Sequence, residues 1–373
     1  MTELNGKEVV ERALSLGEAV HGSEREKAIL KLIEGSLDRE VKRVPVRTKV
    51  WEVKEFHVRV NGREAEASLL PYTRGYAEGV AGKDVVLLDM PSHPFEVKPL
   101  YEGLMTRDGV KAVLIYDSGK LRRIAVGEGK PSAFVRERVR EGDKVEIEAD
   151  AYLKDAESYN LEVTAQEGEG YIVLGAHVDH WLSGYHDNLF SVEILLDLLD
   201  QLKRLNLKRG LKVIFFSSEE GPRCCTGSFQ HPKEDTHVMI SLDALFPSRV
   251  VFSATPDLWR YSELFSLKRV EMTTPFSDHF AFVTEGHPGV VLYNDDLIPY
   301  YHSDADLPSE TDEAFKREMT ASLLRFVKAL DSVSREELDE SFFRFAESRG
   351  VKLKERRGAL VPYGLVTKLR GER

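Results

Sequence analysis

Between residues 171 and 293 the chain repeats one pattern: short apolar runs that close on polar or ionisable residues. The runs are 171–175, 211–217, 238–242, 250–253 and 290–293, and helix-forming stretches lie at 188–205 and 313–330. A strand that is apolar on both faces must be covered on both faces. That condition is met by a largely parallel sheet packed between helices. The pattern therefore predicts an α/β fold, with a mixed, mainly parallel sheet flanked by helices.

The chain before this region reads differently. Residues 3–35 read as helix, with Ser23 and Glu26 spaced as a capping box ahead of Ala28, Ile29, Leu32 and Ile33. Residues 40–166 are valine-rich, in short runs punctuated by Gly, Pro and Asp, with Asn61-Gly62 as a hairpin turn. Runs at 44–60, 85–88, 110–116 and 145–149 are strand candidates, and no cluster of metal-binding or nucleophilic residues stands among them. The helix at 1–38 has no place in such a β-rich unit but would cover one face of the later sheet. The expected organisation is therefore a discontinuous α/β domain, 1–38 and 168–332, with a β-rich domain inserted at 40–166. A C-terminal helix from about 334 and a basic tail complete the chain at 333–373; from residue 341 nine Lys/Arg face three Asp/Glu.

The formal net charge of -11 argues against broad nucleic-acid binding, which wants a basic footprint. No stretch approaches the eighteen apolar residues of a membrane span. The opening MTELNGKEVVERALSLG lacks the apolar core of a signal peptide, so the expected compartment is the cytoplasm. Cys224 and Cys225 are adjacent, which fits neither a secreted disulfide framework nor a zinc knuckle; buried thiols are the expectation, with a strained vicinal disulfide as the alternative.

The chemistry gathers where strands end, which is where open α/β sheets bind ligands. The run 171–175 leads into His177 and Asp179, which share a face if strand geometry persists. One of that pair can bind a metal while the other holds its second ring nitrogen. Asp187 precedes a long apolar helix, where it would either cap the helix or, beside His177, bridge metals. The run 211–217 ends in Glu219-Glu220. Paired carboxylates at a buried strand end are costly unless a metal, proton or cation compensates them. Of these two, one can ligate while the other takes a proton from water. Asp243 closes 238–242, and His302 and Asp306 follow 290–293. His177, Asp187, Glu220, Asp243 and His302 together offer two imidazoles and three carboxylates. That set suits Zn, Mn or Co and lacks the thiolates of a structural zinc site.

The ordered motifs GAHVDH, HDN, SSEEG, SLD, SDHFAF and YYHSDAD resemble the M28 family of zinc aminopeptidases over about residues 170–330. The insertion resembles that family's protease-associated domain. The resemblance implies two divalent metals, with His177 and Asp243 on one, Glu220 and His302 on the other, and Asp187 between them. It implies Glu219 as general base and Asp179 as the partner of His177. Gly227-Ser228 matches the turn after the glutamates, and Ser277-Asp278-His279 with Phe282 a motif lining the site. The segment WLSGY, with Tyr185 and His186 before the Asp-Asn pair, departs from the family pattern, and His180 and His186 are rivals to His177.

The expected reaction is metal-assisted hydrolysis of peptides from the amino end. Glu219 takes a proton from water and passes it to the leaving amine. Backbone N–H groups or Tyr301 would hold the oxyanion. Trp181, Tyr185, Phe280, Phe282 and Tyr301 are candidate walls of an apolar pocket. A carboxypeptidase using Arg223 or Arg249, a glutaminyl-cyclase-like enzyme and a non-catalytic binding module are the alternatives. The lack of a G-x-S-x-G elbow argues against a serine hydrolase, and neither cysteine has a spacing that pairs it with a histidine. A homo-oligomer is compatible with all of these.

Overall fold

The computed structural model of the protein describes residues 5–350. The expected helix at 3–35 is two helices, Gly6–Ser15 and Glu24–Ser36. Gly17, at φ +80°, ends the first in the left-handed conformation that a helix stop favours. Asn5 and Glu8 form a reciprocal capping box at its start. Ser23 caps the second helix, its Oγ accepting from Glu26 N at 3.1 Å. The Glu26 side chain does not return to the cap, and its partners lie under the site described below.

The main sheet has ten strands. Its centre is parallel: Gly210–Phe216, Tyr171–His177, Thr236–Leu242 and Gly289–Tyr293 lie side by side in that order. Val250–Ala254 joins antiparallel, and Leu267–Met272 lies outside it as the outer strand among the described residues. Ile172, Leu174 and Ala176 alternate with Val173 along one strand. The first three face a core shared with Gly6–Ser15, Glu24–Ser36, Phe190–Leu202 and Asp312–Asp331; Val173 packs with Phe282 on the other face. Helices thus cover both faces, as the apolar runs predict. The helix Arg335–Ser348 packs Phe342 and Ala346 against Met272 and Phe280. The basic tail expected beyond it lies largely outside the described residues. None of the helices described is long and apolar enough to cross a membrane.

Two long strands, Lys42–Val60 and Lys144–Gln166, connect this sheet to the inserted region. They pair antiparallel from Lys42↔Glu162 to Val60↔Val145. The same strand Lys144–Gln166 pairs with Gly210–Phe216 through Leu161–Gln166. The insertion therefore leaves the main sheet through a ribbon rather than a flexible linker. Beyond the ribbon stands a second sheet, ordered Ala67–Leu69, Ala133–Val135, Ala112–Tyr116, Val85–Asp89. It carries a helix, Val97–Met105, which strand-type periodicity does not anticipate. Val97, Tyr101 and Leu104 are its buried face, a helical spacing too short to stand out in the sequence.

Candidate metal centre

Four parallel strands place their carboxyl ends along one edge, and the ionisable residues converge there. His177 ends its strand in register with Phe216, so Glu219 and Glu220 follow one turn beyond. Ser218, at φ +58°, makes that turn. Asp243 follows Leu242 directly. Asp187 sits in a turn at Tyr185–Leu189, ahead of the helix Phe190–Leu202, and does not cap it; the Asp187–Asn188 peptide is cis. His302 comes from the loop after Asp295–Leu297.

Asp187 stands between two donor groups. Its Oδ1 is 3.3 Å from His177 Nε2, which is also 3.5 Å from Asp243 Oδ1. Its Oδ2 is 3.3 Å from His302 Nε2, which is 2.7 Å from Glu220 Oε1. The ligand atoms of His177, Asp187 and Asp243 lie within 4.8 Å of one another, as do those of Asp187, Glu220 and His302. Glu219 reaches to 3.9 Å from His177 Nε2 without belonging to either triad.

The surroundings hold these groups in place. His177 Nδ1 lies 2.9 Å from the Asp179 carbonyl oxygen, and 3.7 Å from its carboxylate. The Asp179 carboxylate instead accepts from the backbone N–H of Glu219 (2.9 Å) and Glu220 (2.8 Å), tying the two glutamates to the His177 strand. Glu26 lies beneath them, fully buried. Its oxygens accept from Ser218 N at 2.7 Å, Ser217 Oγ at 2.9 Å, Ser158 Oγ at 2.7 Å and Gly22 N at 3.0 Å. Burial and the nearby Asp179 charge push this carboxyl up to about 8. Gly227 is required for close approach, since a Cβ there would meet the Ser217 carbonyl oxygen at 2.1 Å.

The rivals to His177 stand elsewhere. His186 is bound on both ring nitrogens, to Asp306 at 2.7 Å and Asp312 at 2.9 Å. Asp306 also accepts from the backbone N–H of His186 and Asp187, so it fixes the turn that presents Asp187. His180 lies outside both donor triads, with Nδ1 on the Val178 carbonyl.

The cluster is short of positive charge. Burial pushes the Glu219 carboxyl well above the usual carboxylate range; the His177 ring opposes this, and the charges of Glu220, Asp243 and Asp278 add to it. Burial alone would lower His302, yet Glu220 and Asp187 lift its ring to about 10. His177 Nε2 and Asp187 Oδ1 are buried without a hydrogen-bond partner. Glu219 and Glu220 driven toward protonation, beside the His177 and His302 rings driven toward cations, are what a donor set shows when a cation would balance it. The residues therefore fit divalent metal, with nitrogen and oxygen donors of the kind zinc takes.

A cavity of about 310 Å³ opens onto these groups. Of the expected walls only Tyr301 lines it. Trp181, Tyr185, Phe280 and Phe282 are instead buried, at 1, 5, 5 and 1% exposure, in the packing of the sheet and its neighbours. The apolar walls come from Phe276, Leu297, Ile298 and, across from them, Phe95 of the inserted region. Phe95 stands 5.8 Å from the Phe276 ring and 5.9 Å from the Tyr301 ring. Neither Arg223 nor Arg249 is on the wall; Arg269 is, already paired with Asp295 and Glu271.

Cys224 and Cys225 are joined as a disulfide, not present as the expected thiols. Cys225, at φ +69°, turns the chain so that both sulfurs approach Glu219 Oε1, at 3.1 and 3.2 Å. A disulfide has no proton to donate, so these are contacts and not hydrogen bonds.

Fold and donor set together define a metal-dependent peptidase. Residues 160–327 match the model of peptidase family M28. Among solved structures the chain resembles the aminopeptidase from Aneurinibacillus sp. strain AM-1, with TM-score 0.56 and 18% identity over 87% of this chain and 94% of that one. It resembles BSAP, a zinc aminopeptidase from Bacillus subtilis, with TM-score 0.62 and 16% identity over 86% and 94%. The peptidase M28 precursor from Shewanella amazonensis aligns with TM-score 0.67 and 14% identity over 88% and 93%. No curated protein matches the sequence.

Proposed function

We propose that the protein is a two-metal aminopeptidase, removing residues from the amino end of peptides with Glu219 as general base. The observation that carries this reading is Asp187, which turns one carboxylate oxygen toward His177 and Asp243 and the other toward Glu220 and His302. His177 and Asp243 would hold one ion, Glu220 and His302 the other, and Asp187 both. Zinc suits these donors, with Co or Mn as substitutes. Bound there, two divalent ions would ionise water near neutral pH and polarise the scissile carbonyl.

The chain's own residues supply the remaining steps. The Glu219 carboxylate lies close to His177 and Glu220 but is not needed to complete either triad around Asp187, which leaves it to accept the proton of the attacking water and return it to the leaving amine. Asp179 holds the backbone of Glu219 and keeps the base on its strand end. Of the four carboxylates that border the cavity, Asp187, Glu220 and Asp243 would be offset by the ions they hold, leaving Glu219 as the carboxylate a substrate's amino group would stand beside. A carboxypeptidase would need an uncommitted cation there, and Arg269 is already held by two carboxylates. The apolar walls favour an apolar first residue. We read 40–166 as a protease-associated-like domain that closes one side of this cavity.

Chelation followed by metal returned in counted equivalents tests the reading, on matched peptides with free and blocked amino termini. Recovery at two equivalents, on free amino termini alone, is expected. Cleavage of blocked peptides would overturn the aminopeptidase assignment, and failure to bind metal would overturn the centre itself.

A further inference from the structure

The loop that carries His302 is built against the inserted region, not against the sheet. Residues Leu121–Arg123 of the insertion pair antiparallel with 302–304 around an Arg122↔Ser303 bridge. Arg123 N–H donates to the His302 carbonyl at 2.9 Å, and Asp304 N–H to the Leu121 carbonyl at 3.1 Å. His302 Nδ1 in turn meets the Arg123 carbonyl oxygen at 3.0 Å. That carbonyl can only accept, so Nδ1 keeps its proton, and Nε2, facing Asp187 and Glu220, is the nitrogen that would ligate an ion on giving up its own proton.

Arg122 is the centre of this contact. It is 2% exposed, and its guanidinium reaches three carbonyls of the loop: Ile298 at 3.3 Å, Pro299 at 2.5 Å and Tyr301 at 2.5 Å. Asp117, in the insertion, holds the Nε side at 2.6 Å. Carbonyls that converge on one point repel each other, and the planar fork of a guanidinium is what lets them do so. The next residue, His302, sits at φ +52°, a left-handed conformation uncommon outside glycine. Tyr301 stacks on its ring at 3.7 Å. The fork fixes the carbonyls up to Tyr301, and the Arg123 carbonyl fixes the ring that follows.

We propose that Arg122 is a positioning residue for the metal centre: through the carbonyls of Ile298, Pro299 and Tyr301 it sets the backbone that aims His302, so the inserted region is a working part of one metal site and not of the other. This rests on the centre proposed above. His177 has no such dependence, since its Nδ1 partner is two residues along its own chain.

Metal titration calorimetry on the full-length protein and on Arg122→Ala tests it. The unaltered chain should take two equivalents; if it takes none, the reading of the centre fails and not the role of Arg122. In Arg122→Ala the equivalent held by Glu220 and His302 should weaken about 10–100-fold, as loss of a ligand-orienting contact does. The other equivalent should be unchanged, and guanidinium at sub-denaturing concentration should restore the weakened one. Two unchanged affinities in Arg122→Ala would overturn the proposal. So would an equal loss at both sites that guanidinium does not reverse, since that describes a general loosening. If the alanine variant does not fold, Arg122→Lys keeps the charge beside Asp117 but not the fork, and should lose the same single equivalent. Two native affinities in Arg122→Lys would then overturn it.

Discussion

The two halves of the metal centre offer matching donors, one imidazole and one carboxylate on each side of Asp187, but they are anchored differently. His177 and Asp243 stand on neighbouring parallel strands, and the ring of His177 is oriented by Asp179 two residues away. Glu220 is likewise tied to the His177 strand through Asp179, but His302 is held by Arg123 at a separation of 179 residues. The first half is fixed by the sheet alone. In the second, His302 needs the insertion docked. A donor's chemical type is a local property of the sequence, whereas its aim is set by whatever the fold brings against it.

The largest effect should come from the group outside both halves. Glu219→Gln keeps the shape of the side chain and removes the base, so kcat should fall about 10²–10⁴-fold while both metal equivalents are retained. Steady-state kinetics beside a metal titration checks this; a kcat within a few-fold of the unaltered enzyme would mean that the proton goes elsewhere.

A smaller effect concerns the root of the ribbon that carries the insertion. Glu162 pairs with His231 at 2.9 Å and Lys212 at 3.2 Å. Burial works against its charge, but His231 and Lys212 hold the carboxyl down at about 2 against an ordinary value of 4.5. A lowered carboxyl stabilises the fold above its unfolded value, and that contribution disappears as pH falls through the folded one. The loss should therefore run from about pH 4.5 down to about 2 and amount to roughly 3 kcal/mol. Melting temperatures over that range should drop steeply for the native chain and more gently for Glu162→Gln. Parallel curves would remove Glu162 as the root.

The smallest effect should be one of selectivity. Phe95→Ala opens the insertion's side of the cavity without touching a donor. It should lower kcat/KM about tenfold for peptides beginning with a bulky apolar residue, and leave those beginning with alanine nearly unchanged. A uniform change across substrates would place Phe95 outside the pocket.

These differences also mark what could be read from residues alone. His177, Asp187, Glu219, Glu220, Asp243 and His302 were legible because each is a costly ionisable group beside an apolar run. The parallel centre of the sheet was legible for the same reason, through strands apolar on both faces. Arg122 was not, because it acts on backbone carbonyls, which every residue possesses. Phe95 and Phe276 were not, because an aromatic residue in a loop has no period to betray which cavity it walls. Trp181 and Tyr185, chosen for nearness to the site in sequence, went into packing instead. Glu26 had a capping signature, but its carboxylate is used beneath Ser217 and Ser218, contacts that only the folded chain creates. The disulfide between Cys224 and Cys225 depends on a left-handed residue that the sequence does not announce.

The outer strand Leu267–Met272 has a further consequence. An open sheet ends in unpaired backbone groups, which invite a second molecule to continue it. Here that border reads LKRVEM, and Lys268 and Arg269 are engaged with Asp295 and Asp296 while Arg269 also meets Glu271. A chain that tried to extend the sheet would have to strip water from this ionic lattice and dismantle it. Arg269 thus stands at once on the rim of the cavity and in the charged border that blunts this edge of the sheet.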